Sequence, residues 1–150
     1  MPLSPDIVVT KPDLPEILLA VEVKGGAADI QNVEDQLKAY MVYMDCPVGM
    51  LVTFEQTRFY RNRYTGNEPQ TVEGTGVCAT SELLGPLPAR SSLAELYLER
   101  LVIEWLESLR VMDGRGSWPA SAREAIESSV LPVVIEGVVR ASGSRQRRTG

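Results

Sequence analysis

The sequence predicts an α/β fold: a mixed sheet of about four strands flanked by helices, with extra helices from the C-terminal half packed around it. Three observations carry this. Short aliphatic, β-branched runs at residues 5–10, 17–24 and 48–54 are bounded by proline, glycine and charge, as strands are. Between the second and third of these runs, Ile30, Val33, Leu37, Tyr40, Met41 and Met44 recur at helical spacing. From Leu93 onward the pattern is helical rather than alternating.

Taken in order, Ile7-Val8-Val9 and Ile17 to Val23 form the first two strands. Lys11-Pro12-Asp13-Leu14-Pro15-Glu16 turns between them, each proline fixing φ and removing a ladder donor. Ile17 to Val23 is apolar almost without alternation, which suits a strand covered on both faces. After Gly25-Gly26, residues 29–45 read as a helix that Asp45-Cys46-Pro47 ends. Val48 to Phe54 reads as a central strand, and Thr57 to Tyr64 as its half-exposed edge partner in a hairpin.

Residues 65–92 are rich in Gly, Pro, Thr and Ser and read as a connecting segment, with a short strand near Val77 and a helical turn at Ser81 to Leu84. Leu93 to Leu109 is a helix with a stripe of Leu93, Leu96, Tyr97, Leu101, Trp105 and Leu109, widened by Val102 and Leu106. That stripe reads as core, and its breadth also allows a dimer contact. Ser91 or Ser92 caps it, with Glu95 completing a capping box. Pro119 to Ala141 reads as the last helix, kinked or divided by Pro132. The expected division is an α/β core over 1–64, the connecting segment over 65–92, C-terminal helices over 93–141 and a disordered tail over 142–150.

Composition narrows the chemistry. The chain has 150 residues, enough for one domain with a real core, and its 44% hydrophobic and 23% charged residues are ordinary for a globular protein. It contains no histidine, which excludes a Ser-His-Asp triad, a Cys-His pair and any zinc site needing imidazole. Its two cysteines, Cys46 and Cys78, make neither a ligand spacing nor a disulfide framework and read as reduced, buried thiols. Net charge is −5, so the whole surface is no attractor for nucleic acid. Arg58, Arg61 and Arg63 cluster nonetheless, and read equally as a solvated strand face or a phosphate-contacting strip. The basic residues of the tail read as solubilising. No membrane-spanning stretch or signal peptide is visible, and a cytoplasmic location is expected by default.

Acid–base or metal chemistry must therefore come from carboxylates, lysine or tyrosine. Asp6 and Glu22 lie on adjacent strands and can share one Mg²⁺, with the Val23 backbone carbonyl as a third hard oxygen ligand. Lys24 is two residues from Glu22 and leaves the same face, where it could orient water or stabilise developing charge. Singly, each has a plainer reading: Asp6 as a strand-start residue, Glu22 and Lys24 as a surface pair. The ordered set tips the balance.

That set, Pro5-Asp6, then Glu22-Val23-Lys24, then Gln36-Leu37-Lys38-Ala39-Tyr40, resembles the PD-(D/E)XK nuclease superfamily. Within it, the chain is similar to the branch with a QxxxY helix, which includes the N-terminal nuclease domain of type I restriction-enzyme motor subunits and the RecB-like nucleases. The resemblance covers Ser4 to Arg63. It implies a restriction-endonuclease-like sheet and Mg²⁺- or Mn²⁺-dependent hydrolysis of DNA phosphodiester bonds in restriction, defence or repair. It makes Asp6, Glu22 and the Val23 carbonyl the metal ligands and Lys24 the catalytic lysine. Gln36 and Tyr40 would contact nucleic acid or hold the catalytic strand. Tyr40 also lies on the apolar stripe, so a core role stands beside its site role.

Members of that family usually carry a helix and a strand before the Pro-Asp motif, whereas four residues precede Pro5 here. The chain is then a fragment, or the face is filled by its own C-terminal helices or by a partner, a second copy or a larger protein. The rival function is a catalytically silent module that binds nucleic acid or a protein partner.

Overall fold

The computed structural model describes residues 4–25, 29–89, 93–112 and 116–141. Strands β1 (Ile7–Thr10), β2 (Ile17–Lys24), β3 (Val48–Thr53), β4 (Gln56–Asn62), β5 (Val72–Ala79) and β6 (Val138–Ala141) form one sheet in the order β5-β4-β3-β2-β1-β6. Only β2 and β3 run parallel; the other neighbours are antiparallel. The class is the α/β mixed sheet that was expected, but with six strands rather than about four.

Helix α1 (Ile30–Tyr43) covers one face of the sheet. Asp29 caps it through a side-chain bond to the Asn32 N–H, and Val33, Leu37 and Met41 pack on Ala20, Leu51, Tyr60 and Val72. At its other end Asp45 adopts φ 52, with Asp45 N–H on the Val42 carbonyl and Cys46 N–H on the Met41 carbonyl. This left-handed cap stops the helix before Pro47. Met44 and Tyr43, beyond the stripe's inner edge, are exposed.

The opposite face carries the larger core. Here Ile7, Val9, Val21, Val23, Met50, Val52 and Phe59 meet helices α3 (Ala94–Met112), α4 (Ala120–Ala125) and α5 (Leu131–Glu136). β2 is thus buried on both faces, as its unbroken apolar run requires. The inward side of α3 is Leu98, Val102, Trp105, Leu106 and Leu109, whereas Leu93, Leu96 and Tyr97 of the expected stripe are exposed. α4 packs tightly on β5: a Cβ at Gly76 would come within 2.9 Å of the Ser121 carbonyl oxygen.

Three further expectations are corrected. β4 is no edge strand, because β5 pairs along its whole length. The strand near Val77 is not short: it spans Val72–Ala79, followed by α2 (Thr80–Leu84). The helix expected to reach Ala141 ends at Glu136, and β6 follows Gly137 to pair with β1. Pro132 does divide the helix. Lacking an N–H for the Ser128 carbonyl, it follows a π turn over Ile126–Val130, in which the Leu131 N–H reaches Ile126. The caps expected at Ser91 and Ser92, the breaks at Gly26 and Gly114 and the tail over 142–150 lie outside the described residues.

Candidate active site

β1 begins beside the C-terminal half of β2. Ile7 pairs with Val21 and Val8 with Ala20, and Asp6, just before the strand, lies beside Val21 to Val23, where its N–H and its carboxylate both bond to the β2 backbone. Val21 and Val23 face the large core, so Glu22 and Lys24 leave β2 on the α1 side. Both carboxylates are buried, each with 3% of its surface accessible. The C-terminal helices lie on the other face, so they do not fill the face that carries these groups.

Asp6 is held twice by the neighbouring backbone. Its N–H donates to the Val21 carbonyl at 3.0 Å, and its Oδ2 accepts the Val23 N–H at 2.8 Å. The side chain therefore continues the ladder where β1 has not yet begun. A strand residue points its N–H and C=O to the same neighbour, so the Val23 carbonyl is directed toward the Asp6 edge as well. A carboxylate offers about four lone-pair sites, and the Val23 bond uses one of them.

These donors fit a hard divalent cation. Two carboxylates and a carbonyl are oxygen ligands of the type Mg²⁺ takes, with water or substrate oxygens completing the octahedron. Among the described residues no group of three or more His, Cys, Asp or Glu side chains that could hold a metal ion gathers. Lys24 is half-buried at the last position of β2. The next residue is fixed from the far side of the sheet, because the Gly25 N–H donates to Glu95 Oε2 at 2.7 Å. A Cβ at Gly25 would lie 2.9 Å from the Glu95 Cβ, so this approach of α3 to the strand end needs glycine.

The α1 residues divide. Gln36 is exposed on the helix surface, and Tyr40 is half-buried against the smaller core. Burial, followed by the Cys46 thiol nearby, raises the Tyr40 phenol above its ordinary value. The contacts shown for Tyr40 are those of the smaller core and Cys46. The cysteines are buried thiols: burial pushes Cys46 up to about 12 and Cys78 up to about 11.

Arg58, Arg61 and Arg63 do not form one strip. Arg61 and Arg63 both bind Glu73, at 3.1 and 2.9 Å, on the side away from α1. Arg58 instead joins Glu34 at 3.1 Å beneath α1, where the Tyr60 hydroxyl also donates to Glu34 at 2.5 Å. The parity of a strand contains this split, since positions 58 and 61 must leave opposite faces. Burial acts to raise Glu34, but the Tyr60 hydroxyl, Lys38 and Arg58 outweigh it and hold the carboxyl below its ordinary value.

No protein-family model matches the chain, and no curated protein or solved structure is detectably similar to it.

Proposed function

We propose that the protein is a metal-dependent nuclease that hydrolyses DNA phosphodiester bonds. The observation that supports this is at the start of β1, where buried Asp6 accepts the Val23 N–H, between buried Glu22 and Lys24, which leave one face of β2. In this reading Asp6, Glu22 and the Val23 carbonyl hold Mg²⁺ or Mn²⁺, which supplies charge neutralisation at the phosphate and an activated water. Lys24 positions that water or the phosphoryl oxygens through its ammonium. Gln36 and Tyr40, on α1, would contact nucleic acid or hold the catalytic strand.

A second reading is favoured by one feature. The Val23 N–H on Asp6 Oδ2 gives Asp6 a structural duty, closing the ladder at the start of β1. A silent module that binds nucleic acid or a protein partner would keep Asp6 for that purpose alone.

Lys24→Ala separates the two. Lys24 is half-buried at a strand end, so the change should leave stability within ~1 kcal/mol of the parent. In a nuclease it should lower Mg²⁺-dependent cleavage of plasmid or linear DNA by ~10²–10³. The assay compares the parent in Mg²⁺ or Mn²⁺, the parent in EDTA, and the variant. A parent that binds nucleic acid without cleaving any establishes the silent module.

A further inference from the structure

We propose that Arg58, with the cleft beside it, is a phosphate-binding subsite that holds the nucleic-acid strand next to the phosphodiester being cleaved. The inference deepens the nuclease reading and rests on it for the identity of the ligand.

The placement follows from register. Glu22 pairs with Leu51, and Leu51 with Arg58, so one row runs from Glu22 across β3 to β4 on one face. Two strand spacings separate Arg58 from Glu22, about 10 Å at the backbone. Lys24 pairs with Thr53 one step further along. Between them opens a cleft of about 160 Å³ lined by Ile30, Leu51, Thr53, Glu55, Gln56 and Arg58.

Arg58 is held for binding rather than consumed by its own contacts. Its Nε donates to Gln56 Oε1 at 2.9 Å, and one Nη1 proton goes to Glu34 Oε2 at 3.1 Å. A guanidinium has five N–H donors; Arg58 also reaches the Tyr60 hydroxyl, so about two remain for a ligand beyond these contacts. They sit on a fork whose plane Gln56 and Glu34 already fix, which removes much of the ordering cost of a bidentate phosphate contact. The local charge suits an anion. Glu34 is shared between Arg58 and Lys38, the latter at 3.6 Å, so two cations face one carboxylate. Glu55 stands on the cleft's rim and opposes this, but it is solvent-exposed and its charge is screened.

Arg61 and Arg63 provide the contrast. They too share one carboxylate, Glu73, but Arg61 leaves β4 on the face opposite Glu22. A general basic surface would use both clusters; a strand laid across the proposed metal position would use Arg58 alone.

The test is the salt dependence of binding to a fluorescein-labelled DNA duplex, in Ca²⁺, with the oligonucleotide checked for integrity. Each lost phosphate contact lowers the slope of log K against log salt by roughly 0.9 on duplex DNA. Arg58→Gln should lose about that much slope, and Arg61→Gln none. Because Arg58→Gln strands the Glu34 carboxylate, the double variant Glu34→Gln/Arg58→Gln is measured beside it, and thermal melting verifies that each is folded. The double variant should show the same loss. An unchanged slope in a folded variant overturns the subsite, as does an equal loss in Arg61→Gln or a parent that binds no DNA. Absent cleavage by a parent whose slope still depends on Arg58 would overturn the nuclease reading alone.

Discussion

Glu34 is the residue where the helix and the sheet are joined by charge. Its carboxylate receives the Tyr60 hydroxyl, Arg58 and Lys38 while its side chain is only 15% accessible. Its pKa is held below the ordinary Glu value of about 4.3, so its contribution is present above that value and is lost as pH falls through the folded pKa. Glu34→Gln should cost ~1–3 kcal/mol at pH 7, the range for hydrogen bonds to a charged group. Urea melts should show that deficit shrinking below pH ~4.3, where the parent carboxylate becomes neutral too. A deficit that stays constant down to pH 3 would mean the charge is not what matters. At this scale the shared face of Glu22 and Lys24 was legible because strand parity is written in the chain. Glu34 was not, since its partners lie 24 and 26 residues away and only the β4 register brings them under α1.

Among the elements, α3 is the one whose packing decides the stability of the C-terminal half. Its Trp105 is 8% accessible and sits in the large core. Trp105→Ala should cost ~3–5 kcal/mol, read from chemical denaturation. Normal melting combined with lost self-association would instead place Trp105 at a contact between copies. Helical periodicity located α3 but put its stripe too far round, because Leu93, Leu96 and Tyr97 continue the pattern past the part that meets the sheet. β5 was read as short because Gly74, Gly76 and the irregularity between them dilute its alternation. β6 was hidden inside an apolar run that a helix could equally use. Only its pairing with β1, a partner more than a hundred residues distant, makes Val138–Ala141 a strand.

For the molecule as a whole, metal and fold should be linked. Asp6 and Glu22 are both buried, and in the nuclease reading an ion held by both would offset the cost of their charges. If the parent binds Mg²⁺, saturation at 100 times Kd adds about 2.7 kcal/mol, several degrees in Tm. Glu22→Gln should melt at or above the metal-free parent in EDTA and should gain nothing from Mg²⁺. A Mg²⁺ shift that survives in Glu22→Gln would place the ion elsewhere. The sequence pattern was enough for the α/β class and for the hairpin that carries both acids, because these depend on local runs and a short connection. Sheet order was not, because it depends on which strand closes which edge. That closure has a consequence for synthesis. β1 lies between β2 and β6, so while a nascent chain lacks residues 138–141, the strand that follows Asp6 has an open edge. Pairing at such a sequence separation is slow to form. The hairpin that carries both candidate acids therefore waits for a segment more than a hundred residues further along the chain before that edge is covered.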